Sequence, residues 1–468
     1  MRRLKWPALF CCLALFPAFT STSGAEYRLT PSIGIRQEYR NNIFLTTSDE
    51  KEEYITTLSP AINLFHKSKL LDLSLDYGLN FRFFAGDSMS DETSLSETQK
   101  AKLVAAVHPP KSIFFMNIFD EYERVPIDIR GPVALDNLFV NMTDSNLLVL
   151  NTYMEYPLTK TSKARTGYKF LNRWYKAERG NDSTDNAAIL ELEKKLSPKT
   201  TSLLSYSYFW HRPEETPRFD RQDVSLGLVW GKSRLLAAGN VGTAFFDFEE
   251  REHENFITGG MRAYYQLTEA LVAGAGYSRL FLESVNLGTF KREEIIGSIA
   301  YTGKQILAYL PGLSQAETSL TVEKGGRPDE LTSMGKKGLV GKLLGFSRRD
   351  TYLTAVREDR EDGLTLDLTT RLTYRTFGRL EGYYSELDLL PEGEETTRYG
   401  FKVSLDYTLK KTTVSVAYIR NNNDSNIDDH DYRSNTVYMQ LRFYPRGRPG
   451  ENTLDFLSPK ALDQEYPL

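Results

Sequence analysis

Residues 71 to 83 alternate without a break. Leu71, Leu73, Leu75, Tyr77, Leu79, Phe81 and Phe83 are apolar, and Asp72, Ser74, Asp76, Gly78, Asn80 and Arg82 between them are polar or small. Successive side chains of an extended chain point to opposite faces, so this run makes a strand with one greasy wall and one wet wall. Strands average about five or six residues in soluble domains, whereas a strand tilted across a bilayer needs about nine to eleven. This run is long enough to cross a membrane.

The pattern recurs. Tyr399, Phe401, Val403, Leu405, Tyr407 and Leu409 alternate with Gly400, Lys402, Ser404, Asp406, Thr408 and Lys410. Leu364, Leu366, Leu368, Leu372 and Tyr374 share one face of a further run, opposite Asp367, Arg371 and Arg375. Shorter versions pass through Leu204 to Trp210, Val224 to Trp230 and Val437 to Phe443. A soluble sandwich also alternates, so a single strand does not decide between the two.

Targeting narrows the choice. Arg2, Arg3 and Lys5 precede an apolar stretch from Trp6 to Phe19, and Ser23-Gly24-Ala25 then offers small residues for cleavage before Glu26. Residues 1–25 therefore read as a cleaved signal peptide. Cys11 and Cys12, the only cysteines, lie inside it, so the mature chain is expected to carry no thiol, disulfide or lipid anchor. Loss of three basic residues takes the formal charge from −4 to −7, which argues against nucleic acid as a partner.

No later segment is long and apolar enough for a membrane helix, and mean hydropathy is −0.42. A barrel gives the same value, because half of each strand faces a polar lumen. The 27 Tyr and 26 Phe residues suit the girdles that barrels place at membrane interfaces. Strands are expected from 28–40 through to 434–444, with 315–324, 337–346 and 350–358 among them. Links such as 66–69, 108–111, 232–234 and 410–411 are short, and the intervening ones at 48–53, 247–254, 391–395 and 421–431 are longer and acidic or Asn-rich. Sorting of short turns to one end and long loops to the other is typical of bacterial outer-membrane barrels.

The expected fold is thus all-β: a transmembrane antiparallel up-and-down β-barrel of about 22 strands, an even number in the range 18–22, over residues 26–446, with a periplasmic tail at 447–468. With the first strand starting almost at Glu26, no N-terminal plug of the kind carried by energised transporters is expected. The loop at 125–145, with Pro126, Gly131 and Pro132, would have to narrow so wide a pore.

Specific segments carry a family resemblance. Leu29-Thr30-Pro31-Ser32-Ile33 and Glu38-Tyr39-Arg40-Asn41-Asn42-Ile43-Phe44 form one. The other comprises Arg124 to Asp128, Gly131-Pro132-Val133, Asp136-Asn137, Asn141, Thr143 to Asn146, Gly167-Tyr168 and Trp174-Tyr175. Over roughly the first 180 residues the chain resembles the outer-membrane β-barrel porins found with PEP-CTERM exopolysaccharide systems. The resemblance implies an outer-membrane location and a role near polysaccharide export, and it brings no catalytic residues.

Signals for chemistry are weak. Asp428-Asp429-His430-Asp431 could serve an outer-membrane protease, yet no second acidic pair stands out to face it. Asn422, Asp424 and Asn426 have calcium-loop spacing, but Ile427 replaces the required Gly and Arg433 the terminal Glu. Gly231-Lys232-Ser233 reads as a turn, lacking the earlier Gly and the helix of a phosphate loop. His66, His108, His211 and His253 show no ligand spacing. No enzyme activity, cofactor or metal is expected.

The wet face is more informative. Asp72, Asp76, Arg82, Lys163, Arg165, Lys169, Arg173, Glu191, Glu193, Asp367, Arg371, Arg375, Lys402 and Asp406 are expected to line the lumen. On the strand at 163–176 the four cations form either an ion-pair ladder with Glu191 and Glu193 or a basic patch guiding an anionic sugar; the ladder is favoured because unpaired lumen charges repel. Two functions stand: a porin-like channel linked to exopolysaccharide or oligosaccharide export, and a non-conducting structural or adhesive barrel. A soluble periplasmic all-β protein is a third possibility. The expected partners are outer-membrane lipids, the barrel-assembly machinery and polysaccharide-export components.

Overall fold

The computed structural model describes residues 25–302 and 339–445, apart from residues 87, 129, 133, 137, 138, 179, 233, 250, 251, 269 and 354. Residues 1–24, with the two cysteines of the expected signal peptide, and the expected tail at 447–468 lie outside the described residues. The chain runs β1 (Glu26–Arg40), β2 (Glu53–Lys67), β3 (Leu71–Leu79), β4 (Phe81–Phe84), one helical turn α1 (Leu95–Thr98), β5 (Gln99–Val107), β6 (Phe114–Pro126), β7 (Met142–Pro157), β8 (Ser162–Tyr175), β9 (Ser183–Ser197), β10 (Thr200–Pro213) and β11 (Phe219–Lys232). It continues β12 (Leu235–Phe248), β13 (Glu254–Gln266), β14 (Leu271–Ser284), β15 (Gly288–Thr302), β16 (Leu339–Tyr352), β17 (Glu358–Arg371), β18 (Thr376–Leu390), β19 (Glu394–Thr408), β20 (Thr412–Ser425) and β21 (Tyr432–Phe443).

Successive strands pair antiparallel, and β21 returns to β1 from Ile33↔Phe443 to Arg40↔Thr436, so the sheet closes into a barrel. The alternating run at 71–83 is not one strand. At Asn80 the ladder is interrupted: β3 pairs with β2 and β5, and β4 keeps the same register against β2, Leu58↔Phe81 after Ala61↔Gly78, with no other partner among the described strands. The closed wall therefore has twenty described strands, with β4 as an extra one.

The expectation of 22 strands is too high for two reasons. The expected strands 337–346 and 350–358 are separated at 347–349, yet β16 runs unbroken through that point from Leu339 to Tyr352, with 353–357 as its link to β17 and with Gly341 and Gly345 inside it. In the wall they face Leu368 and Leu364 of β17, whose bulk covers the room that glycine leaves. In addition, β15 pairs directly with β16 from Phe290↔Tyr352 to Thr302↔Val340, so no strand stands between them. The expected strand 315–324 lies outside the described residues.

Connections are sorted less strictly than the sequence suggests. One end carries short turns such as 68–70, 198–199 and 409–411, and also the connection 303–338. Loops 41–52, 85–98 and 127–141 at the other end are long, but 285–287 and 391–393 have three residues each. The long loops expected at 391–395 and 421–431 shrink because β19 starts at Glu394 and β20 runs to Ser425.

Directly paired residues share a face, so the register carries one parity round the whole ring. Leu226 (56% exposed), Met261 (67%), Ile295 (61%), Leu405 (50%) and Met439 (54%) all stand on the outward parity. Each would forgo about 1.5–3 kcal/mol of burial if left in water. Repeated round the ring, such a surface suits hydrocarbon and not water. A 14-residue strand is about 46 Å long and stands about 33 Å tall at a 45° tilt, taller than an apolar band of about 25 Å. The wall therefore crosses a bilayer and projects beyond it.

Candidate functional site

Loop 127–141, between β6 and β7, lies across the barrel mouth as a strap. Its base is tied to itself: Asn141 Oδ1 accepts from the Asp128 N–H at 3.1 Å while Asn141 Nδ2 donates to Asp128 O. Gly131 is needed there, since a Cβ would sit 2.5 Å from Asn141 Nδ2. From this base the strap reaches β17, which stands almost opposite β6 in the ring.

Charge holds most of it down. Arg357, just before β17, donates to Asp128 through Nη1 at 3.0 Å and Nη2 at 2.8 Å, and Asn286 Nδ2 adds a third bond at 3.3 Å. Arg130 donates to Asp359 at 2.6 and 2.9 Å, to Leu390 O at 2.6 Å and to Glu392. Arg398 Nη2 reaches the carbonyls of Arg130 and Gly131 at 3.3 Å each. Further along, Asp136 lies 3.4 Å from Lys402 and 3.8 Å from Arg36, and its carbonyl accepts from Arg40 at 2.6 Å. Leu135 packs on Ala417, Ile419 and Tyr438, and Phe139 meets Phe84 edge-on at 5.6 Å. Asp136 has a φ of 57°, a conformation that Asp tolerates better than most residues.

Burial alone would raise the Asp128 acid, but the bonds from Arg357, the Arg130 N–H and Asn286 outweigh it and hold the pKa down to about 2. Arg357 is pushed upward by the same partnership, against the pull of its own burial. The Asp128–Arg357 pair thus stays fully ionised at neutral pH.

On the wall below, register puts Asp72, Asp76, Arg82, Lys163, Arg165, Lys169, Arg173, Glu191, Glu193, Asp367, Arg371, Lys402 and Asp406 on the inward parity. Arg375 is not in the wall. Its strand stops at Arg371 because the Leu372 N–H closes a turn on Thr376 O, leaving Arg375 exposed at the tip. Asp76 and Asp367 remain exposed on the inner face. Lys402 faces the strap rather than free solvent.

The basic stripe on β8 is paired. Lys163 lies 3.1 Å from Glu193 and 3.5 Å from Glu155, Arg165 is 3.2 Å from both Glu155 and Glu191, and Arg173 is 2.8 Å from Asp185. Lys169 is fully buried. The arrangement is a ladder across β7, β8 and β9, not an open cationic patch.

The sequence gives no warning of the apolar inner wall. Phe119, Val149, Leu171, Phe209 and Phe246 have inward parity and are almost completely buried, so β6 to β12 present a packed surface here. Arg221 sits among the rings of Phe209, Phe246 and Phe281 at 5.0 to 5.6 Å and is paired with Asp223 at 2.9 Å. His211, which has no ligand spacing in sequence, meets Asp185 at 2.7 Å in the same wall. The signal was the inward parity of both, visible only once β9 and β10 are in register.

At the rim, His430 Nδ1 pairs with Glu394 at 2.6 Å, and Asn426 Nδ2 donates to Gly393 O. These bonds brace the β20–β21 loop. No group of three His, Cys, Asp or Glu side chains that could hold a metal occurs among the described residues.

No protein-family model and no curated protein matches this chain. Among solved structures it is similar to OccK3 (OpdO) of Pseudomonas aeruginosa, with 13% identity over 89% of this chain and 96% of that one and a TM-score of 0.37. The FrpB iron transporter of Neisseria meningitidis gives 8% identity over 89% and 82%, with a TM-score of 0.44. A loop-deleted OmpT, an outer membrane protein of Vibrio cholerae, gives 9% identity over 89% and 99%, with a TM-score of 0.34.

Proposed function

We propose that this chain is a porin-like channel of the bacterial outer membrane, non-enzymatic, whose aperture is set by the strap and whose role is linked to exopolysaccharide or oligosaccharide export. The observation that carries the reading is the strap's mode of attachment. A segment meant only to seal a barrel is best held by apolar packing, which leaves nothing to hydrate. This one is held across the mouth by Asp128–Arg357, Arg130–Asp359 and Asp136–Lys402, with Asp76 and Asp367 exposed on the wall beneath. Charged walls of this kind keep water and tune which solutes pass.

The test is conductance in planar bilayers for the wild type and for a variant with residues 128–140 replaced by a short Gly/Ser link. Small, stable steps in the wild type and larger ones in the variant are expected. The packed inner face from β6 to β12 favours the second reading, a structural or adhesive barrel. Absence of current from both proteins, with folding verified, would select it.

A further inference from the structure

The two ends of the barrel carry opposite charge. Among the described residues, the turns at the short-turn end, between β2 and β3, β5 and β6, and so on round the ring, contain eight Lys and Arg residues and no acid. The described residues of the connections at the strap end include eighteen Asp and Glu and five Lys and Arg. Lys69, Lys111, Lys160, Lys199, Arg234 and the Lys410-Lys411 pair are all exposed, and no described carboxylate is paired with any of them. Cations at the strap end differ in this respect: Arg130, Arg357 and Lys176 are each in ion pairs.

We propose that the short-turn end is a docking surface for a linear acidic polysaccharide, a chain bearing regularly spaced carboxylates, which it collects from the periplasm for entry into the lumen. The inference deepens the channel reading and rests on it. Short turns face the periplasm in bacterial outer-membrane barrels, so the cationic ring faces the compartment from which a polymer leaves. Exposed cations without partners keep their field, whereas paired ones cancel it. The ring also continues inward: Arg442 stands on the inner parity near the same end. Lipid headgroups reach only the outer rim of the barrel, so inward cations are of no use to them. A flexible polyanion meets both the turn tips and the inner wall. At the strap end the acidic loops repel the same polymer, so capture is one-sided.

Such a field raises both the local concentration of the polymer and its rate of entry, and the effect fades as salt rises. The experiment uses the full mature chain in planar bilayers, with polygalacturonate oligomers of about ten sugars added to either chamber at low salt and neutral dextran of equal length as the control. The comparison protein carries Lys69→Glu, Lys160→Glu, Lys199→Glu and Lys410→Glu, all at exposed tips. Polygalacturonate should interrupt the current from one chamber at about tenfold lower concentration than from the other. That asymmetry should vanish in the variant and at high salt, and dextran should show none. Symmetric block, or block that ignores the charge reversal, in a protein that still conducts overturns this proposal and leaves the channel intact. If no current flows, the channel reading has failed, and binding of fluorescent polygalacturonate to the protein in nanodiscs decides: loss of binding in the variant supports the docking surface, and equal binding or none overturns it. A variant that loses only its preference for anionic phospholipid nanodiscs assigns the ring to the membrane, which also overturns it.

Discussion

Arg357 and Asp128 are 229 positions apart in sequence, yet they form the strap's firmest attachment through two parallel N–H donors to one carboxylate. The folded acid titrates at about 2 against a reference near 3.8, so its attachment is fully present above about pH 4 and is lost as pH falls through about 2. The linkage is worth about 2 kcal/mol, an order-of-magnitude figure. Single-channel conductance should therefore be flat from pH 7 to about pH 4 and rise below it. Arg357→Gln should raise conductance already at neutral pH, because the burial that opposes ionisation of Asp128 is then no longer offset. Unchanged steps in that variant would mean the strap stays seated through its other anchors, among them Arg130, Leu135 and Asp136. The β8 ladder leads to a different expectation. Since Arg165 is shared between Glu155 and Glu191, Arg165→Gln takes that cation from the buried Glu191 and leaves Lys163 to Glu155, and should lower folding yield. Ion selectivity, read from reversal potentials in a salt gradient, should move little.

Strands obey their parity with few exceptions, and that makes the walls testable by paired substitutions on one strand. Leu405 of β19 is half exposed on the outward face, where an arginine near the midplane costs about 2–4 kcal/mol. Leu405→Arg should sharply reduce assembled barrel, measured as the heat-modifiable band on SDS gels, while Asp406→Asn next to it should not. Equal yields would show the walls to be reversed. Alternation made this much legible from sequence, because a period of two needs no partner to be seen. The inner wall was legible only in part. Phe119, Val149 and Phe246 lie on the parity that elsewhere holds Asp367 and Lys402, and nothing local in the sequence distinguishes a packed inner face from a lipid face. Strand number failed at β16, where the expected break at 347–349 falls inside one continuous strand whose Gly341 and Gly345 are ordinary wall positions opposite leucines. The strap's location could be guessed from its length and its Pro and Gly residues; its anchors could not, since each lies on a strand remote in sequence.

For the whole molecule, closure of β21 on β1 predicts that unheated protein migrates ahead of boiled protein in SDS gels, with one transition between the two forms. The strap gives that closure a further meaning. It leaves the chain early, after β6, but its anchors at Arg357, Arg398, Lys402 and Asn421 are among the last parts of the barrel to be synthesised. Contacts of such wide sequence separation form late. During assembly the strap has nowhere to lie until the far wall arrives, so a nascent barrel is open-mouthed and only a finished one is narrowed. A protease added during insertion should cut within 127–141 up to the moment β21 docks and fail thereafter, which makes this loop a clock for completion of the barrel.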